Sequence, residues 1–411
     1  MAGHGADYTH ERYSTPRMSA RIVVGVLAVV VCAGASVFAI VRDTVSSKPS
    51  VEQAAEKAIT ECASATDKGL CYERVVPEFM DQGLSMEEAF AIAAKVQDLD
   101  PTYTYCHVLA HNISAKETAK DPNKWKDVVA RAPYGVCGNG GSHGAFQERF
   151  REESLPNASI SEILELISDV CNRRESWDPT PSEIANCVHG VGHLVMYVTG
   201  GNINKSNAVC TAFAEHIANK DDVRTCYEGV FMQVFQPIEP EDKALVENIA
   251  PKPSEARAFC DAFTGRIRAI CIRESWILAP DSLVEKDTFE AFCAAIEDVK
   301  ERIYCIEGIT MGVFSRSFNF DEVRMMPLCE QLSPGMRGIC FDTVAFRLLQ
   351  TDWRNVDRAA QVCMKAPLEI SGECFTRLSL YAKNAFSTSD PVREQLCNRM
   401  PESHRTECVA L

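Results

Sequence analysis

Residues 329–340 read CEQLSPGMRGIC, residues 397–408 read CNRMPESHRTEC and residues 260–271 read CDAFTGRIRAIC. Each stretch closes one helical pattern at its first cysteine, turns through Gly, Pro, Ser or Thr, and opens a second helical pattern around its second cysteine. Two cysteines so placed belong to one helical hairpin. The same spacing rule pairs Cys363 with Cys374, Cys293 with Cys305, Cys210 with Cys226 and Cys171 with Cys187. The first cysteines of these seven pairs, taken from the C-terminus, lie 34, 34, 36, 33, 50 and 39 residues apart, the period of helical-hairpin repeats. Cys62 with Cys71 obeys the rule as well, and Cys106 with Cys137 is the remaining pair, with the widest separation.

The segments between pairs keep a helical period, as in CFDTVAFRLLQ (340–350), CFTRLSLYAKNA (374–385) and CYEGVFMQVFQ (226–236). No run alternates at period two for long enough to argue a sheet. The expected fold is all-α: disulfide-stapled helical hairpins stacked as an α-solenoid. In architecture this resembles the cysteine-rich members of the Sel1-like and tetratricopeptide class, in which a disulfide joins the two helices of each repeat. The resemblance spans Cys171 to Leu411 in period and cysteine placement; the glycine and aromatic consensus of those repeats is absent, so it implies an architecture and no functional residue. Arg268, Arg302, Arg337 and Arg405 each stand three residues before a second cysteine, where they are expected to hold carboxylates or carbonyls near the turn.

Composition narrows the setting. The chain has 411 residues, 46% hydrophobic and 24% charged, enough to bury sizeable cores. With 42 basic against 57 acidic residues the net charge is -15, and no basic stripe interleaves with aromatics, so no nucleic-acid partner is expected. Nineteen cysteines point to an oxidising compartment. Residues 22–41, IVVGVLAVVVCAGASVFAIV, carry no charge and match the roughly 20 residues of a transmembrane helix. A cleaved signal peptide is the competing reading, with Ala33-Gly34-Ala35 as small residues, but the apolar run exceeds the roughly 7–15 residues of a signal core. Basic residues flank both ends, so the cysteines set the orientation. The expected order is a cytoplasmic tail (1–21), a transmembrane signal-anchor (22–41), a polar stalk (42–52), an N-terminal helical-repeat half (53–235) and a C-terminal cysteine-paired half (236–411), all beyond the anchor being extracytoplasmic.

Because repeats superimpose, residues at equal distance after each second cysteine line one face. Two and six residues on, Cys187 gives His189 and His193, Cys137 gives Asn139 and His143, Cys226 gives Glu228 and Met232, and Cys305 gives Glu307 and Met311. Cys340 gives Asp342 and Phe346, and Cys374 gives Thr376 and Leu380, so the C-terminal repeats read as apolar scaffold. In CHVLAH (106–111), His107 and His111 again stand four apart, and residues i and i+4 share a helix face. Five of the nine histidines thus fall on three cysteine-anchored segments. Imidazoles in this number suit zinc, iron or copper, with Glu148 and Glu228 as further candidate carboxylates. The HEXXH pattern of zinc proteases is absent, since neither HVLAH nor HGVGH has a glutamate in second place. The glycines in CGNGGSHG and CVHGVGH ask for close backbone approach, by a ligand or by a neighbouring helix.

The function expected from these residues is a membrane-anchored metal-binding protein of the cell envelope, an oxidoreductase or hydrolase if catalytic, with ligands His107, His111, His143, His189 and His193. The alternatives are an interaction scaffold whose concave face takes a protein or peptide, its histidines hydrogen-bonded among themselves, and a metal-free enzyme using a histidine as base. The metal reading requires the nitrogens of the two pairs to converge. It fails if the pairs face apart.

Overall fold

The structure is a computed structural model that describes residues 48–103, 105–150, 155–279 and 281–410. The expected membrane span at 22–41 lies outside the described residues; among those described, no helix is long and apolar enough to cross a membrane. The chain from Pro49 to Leu411 forms one compact unit. It is helical throughout, with no strand among the described residues.

Local chemistry starts the helices where the sequence supplies caps. Ser50 and Gln53 form a capping box at the head of α1 (Val51–Cys62), and Ser85 with Glu88 does the same for α3 (Met86–Leu99), after α2 (Lys68–Asp81). Helix α4 (His107–Lys120) follows, then the short α5 (Trp125–Arg131), α6 (Gly141–Phe150) and α7 (Ile160–Ile167). Thr180 and Glu183 box the start of α8 (Pro181–Val198), whose Pro181 sits in the first turn, where no amide hydrogen is needed. The order continues through α9 (Ile203–Phe213), α10 (Val223–Phe235), α11 (Pro240–Val246), α12 (Ala256–Cys260) and α13 (Gly265–Glu274). Then come α14 (Lys286–Ala294), α15 (Val299–Gly312), α16 (Glu322–Gln331), α17 (Pro334–Thr351), α18 (Val356–Lys365), α19 (Leu368–Ala385), α20 (Pro391–Asn398) and α21 (Glu402–Ala410).

All nine expected disulfides form, from Cys62–Cys71 to Cys397–Cys408, including the wide Cys106–Cys137. Every bonded cysteine except Cys71 is buried in the continuous apolar core. The turn arginines act as expected. Arg268 bonds Asp261 at 2.7 Å and also reaches Glu301; Arg302 donates to the Glu297 carbonyl at 3.3 Å. Arg337 donates to the Leu332 carbonyl at 3.1 Å, and Arg405 to those of Asn398 and Met400 at 3.4 Å each.

The second helices of the hairpins pack in succession: α4 on α6, α6 on α8, α8 on α10, α10 on α13, α13 on α15, α15 on α17 and α17 on α19. An open solenoid joins each repeat to its neighbours alone. Here the later hairpins also meet the earlier ones. Arg354 forms an ion pair with Asp98 and donates to Gln97 at 3.1 Å, Trp353 packs its ring against Tyr134 at 5.2 Å, and α19 touches α8. The array therefore turns back on itself, a feature that periodicity alone does not encode.

Each staple closes a short loop, so its removal has a defined cost. Replacing both Cys363 and Cys374, 11 residues apart, with Ala is expected to lower the unfolding free energy by about 3 kcal/mol in the chain-entropy account. Urea unfolding of the variant against the parent measures it.

Candidate metal centre

Three helices deliver the five histidines. His107 and His111 lie on α4, whose first residue follows Cys106, and the Cys106–Cys137 disulfide ties that helix start to the turn before α6. Cys137, Gly138 and Asn139 in that turn take left-handed φ values of 51°, 57° and 63°. Asn139 accepts the Gly135 amide through its side-chain oxygen at 2.6 Å. After the turn α6 presents His143, while His189 and His193 project one turn apart from α8, two and six residues beyond Cys187.

The glycines answer the question of close approach in favour of helix packing. A Cβ on Gly144 would stand 2.1 Å from the His111 carbonyl oxygen, and one on Gly140 2.5 Å from that of His107. Gly192 lies equally close to the Cys226 carbonyl, and Gly229 to that of His189. These bare backbones let α4 close on α6, which brings His143 to the His107 and His111 pair, and let α8 close on α10, which carries Gln233 to His193. The contact atoms belong to neighbouring helices.

The rings converge. His143 stands at the centre, 5.2 Å from His107, 5.4 Å from His111, 5.4 Å from His189 and 4.4 Å from His193 between ring centres. Ring nitrogens fall into two sets of three, each mutually within 4.8 Å: His107, His111 and His143, and His143, His189 and His193. The first set is buried, and the second is half-buried at His189 and His193. His189 Nε2 faces His193 Nε2 at 3.2 Å. Two nitrogens bound 2.0–2.1 Å from one tetrahedral ion stand about 3.3 Å apart, so this pair already has the spacing of a metal edge.

Outer partners fix the tautomers. His111 Nδ1 donates to Glu239 Oε1 at 3.1 Å, which turns a lone pair on Nε2 inward, where no protein group meets it. His193 Nδ1 donates to Gln233 Oε1 at 2.6 Å. The Thr225 backbone engages His189. Such orientation by a carboxylate, amide or carbonyl is what metal-ligating histidines commonly have. His107 Nδ1 and both nitrogens of His143 are likewise buried with no hydrogen-bond partner.

Burial, and then the mutual repulsion of neighbouring imidazoles, holds His107 and His143 well below the usual histidine range; His189 is lowered likewise, mainly by burial. Burial brings His193 down to about 4 against the opposing Gln233 bond. On this basis His107, His143, His189 and His193 are neutral at physiological pH, with lone pairs available. A scaffold core built on hydrogen bonds among histidines would leave fewer nitrogens unmet.

The two carboxylates expected from the sequence stand elsewhere. Glu228 is ion-paired with Arg273, with Arg224 at 3.8 Å, and neither it nor Glu148 belongs to the two nitrogen sets. The carboxylate that does serve the cluster is Glu239, 128 residues from His111 and unmarked by any spacing. The C-terminal half also departs from an apolar scaffold. Arg273, two residues after Cys271, is buried among Glu228, Glu274 at 3.4 Å and Glu307 at 3.8 Å, and Asp342 is buried against Arg377 at 2.9 Å. Burial raises Glu274 to about 7 and Asp342 to about 6. Tyr105, stacked on His107 with planes 7° apart, connects the histidines to Arg347, whose guanidinium lies toward Tyr105 and Glu274.

No family model, no curated protein and no solved structure matches the chain. The site therefore rests on its own geometry.

Two expectations follow from these charges. The unfolded chain protonates histidine near pH 6.5, but folded, metal-free His193 does so only near about 4. Stability of the metal-free protein is thus present above pH 6.5 and is lost as pH falls toward 4, measured as a falling urea midpoint over that window. Arg273→Met removes the buried cation shared by Glu228, Glu274 and Glu307 and is expected to cost about 3–5 kcal/mol in the same assay at neutral pH.

Proposed function

We propose that the protein is a membrane-anchored, extracytoplasmic metal-binding protein whose centre is built by His107, His111, His143, His189 and His193. The observation that carries this reading is the convergence of ring nitrogens from three helices, with the His189 and His193 Nε2 atoms 3.2 Å apart and His111 oriented by Glu239. Nine disulfides mark an oxidising compartment, and the uncharged stretch at 22–41 supplies the anchor that holds the domain at the envelope.

Neutral imidazoles without a thiolate favour zinc, copper or iron over calcium or magnesium. Three protein ligands and a remaining open position are the arrangement of catalytic zinc, whereas structural zinc is closed by four. Hydrolysis through a metal-bound water, or redox chemistry if the ion is copper or iron, is the activity this centre would support. A peptide-binding scaffold is the weaker reading, because the face it would offer is lined by buried charge pairs and the array turns back on itself at Arg354 and Asp98.

The test is elemental analysis of the purified, oxidised chain after exposure to zinc, copper or iron and gel filtration, beside His189→Ala/His193→Ala and Glu239→Gln. Stoichiometric metal in the parent, reduced in the double variant and bound about 10–100-fold more weakly in Glu239→Gln, is expected. Absence of metal from the parent after each ion would overturn the proposal.

A further inference from the structure

The five histidines do not form one ligand set. Their nitrogens divide into two triads that share His143 and nothing else. A single ion binding three or four imidazoles needs all of their nitrogens within about 4 Å of each other, twice the metal–nitrogen distance, and the five donors as a whole do not meet that limit. Each triad, taken alone, has its nitrogens within 4.8 Å of one another, close enough for small side-chain shifts to bring them onto one ion. Imidazoles bound to a common tetrahedral ion place their ring centres about 5 Å apart; within the first triad the separations are 4.7, 5.2 and 5.4 Å, and within the second 5.4, 4.4 and 5.0 Å.

Each triad also has its own orienting group. Glu239 fixes His111 in the first, and Gln233 fixes His193 in the second. The shared residue has none. Both nitrogens of His143 are buried, and neither has a hydrogen-bond partner. A buried neutral imidazole ordinarily satisfies at least its N–H, since an unmet buried donor is costly. Every other histidine of the cluster has a bond or a backbone contact on one side of its ring. His143 is instead flanked by two pairs of imidazoles, one on α4 and one on α8.

From this juxtaposition we infer that the centre is dinuclear: two divalent first-row ions, each held by one histidine pair, bridged through the two ring nitrogens of His143. The inference rests on the metal-binding reading and adds the count and the bridge. Charge and protons balance simply. One nitrogen of neutral His143 coordinates the first ion through its lone pair; the second ion displaces the proton from the other nitrogen, that proton passes to solvent, and the resulting imidazolate lies between the two cations. Solvent contact at His189 and His193 gives the second triad a route for loading. Each ion keeps a coordination position that no protein atom fills, so a small oxygen ligand such as water or hydroxide completes it.

The experiment loads the full chain with zinc for stoichiometry and with copper(II) for electron paramagnetic resonance. Expected are two zinc ions per chain, and a dicopper form whose low-temperature signal is largely lost through coupling across the bridge. His107→Asn/His111→Asn and His189→Asn/His193→Asn are each expected to retain one ion and to show an ordinary uncoupled copper(II) spectrum. These variants leave His143 in place, so misfolding of a His143 substitution does not decide the outcome, and an unchanged disulfide peptide map checks each fold. One ion in the parent, or loss of all metal in both pair variants, overturns the dinuclear centre while leaving the metal-binding reading intact. Two ions with uncoupled spectra overturn the bridge. No ion of any kind overturns both readings.

Discussion

The phase of each inner helix is set covalently. In most hairpins a disulfide fixes one residue of that helix against the end of its outer partner, whereas Cys106–Cys137 ties the turn before α6 to the start of α4; from such a fixed point the helical repeat dictates which residues turn inward. Positions two and six beyond the cysteine therefore meet their counterparts from the next hairpin without any freedom to rotate. Cys187 brings His189 and His193 into line in this way, and Cys137 brings His143 between them and α4. Glycine completes the arrangement. With no Cβ on Gly144 the backbones of α4 and α6 touch and their rings come within reach of a common point, and with none on Gly229 α10 lies close enough to α8 for Gln233 to reach His193.

That arrangement has a thermodynamic consequence for the metal-free protein. Neutral imidazoles with unmet nitrogens sit in the interior, where each unpaired polar atom costs free energy. Apolar packing offsets it: Phe146, Phe150 and Trp125 stack edge to face beside α6, and Phe231 continues the core beyond α8. The charge pairs of the later hairpins add rigidity of another kind, since Arg273 has to satisfy several carboxylates at once. Such a centre is pre-organised, and a cation bound there would offset the cost met on folding.

Much of this was legible in the sequence because cysteines are countable markers. The nine pairings, the hairpin architecture and the five histidines follow from spacing, and the turn arginines follow from their fixed distance to the second cysteine. What spacing does not carry is contact between remote segments. Glu239 reaches His111 from the start of α11, and Gln233 reaches His193 from the next hairpin; neither has a motif. The charged interior of the later half was obscured because Phe346 and Leu380 occupy the sixth positions and look like ordinary core, although both are exposed and the charge lies at Arg273, Glu307 and Asp342. The return of the array onto its own beginning depends on Trp353 and Arg354, which precede α18 in a short turn and look unremarkable in the linear chain.

The contact between Arg354 and Asp98 also bears on how the chain reaches this state. Hairpins with staples 9 to 16 residues apart assemble locally and early, because closing a short loop costs little chain entropy. Joining residues 256 apart in sequence is a different kind of event, slow to find and dependent on every hairpin between them being in place. Closure is expected to come late in folding on this ground, joining separately stapled units through one long-range contact. A chain emerging on the far side of a membrane would acquire its covalent bonds hairpin by hairpin as it appears, and its tertiary unity only once the C-terminal hairpins arrive.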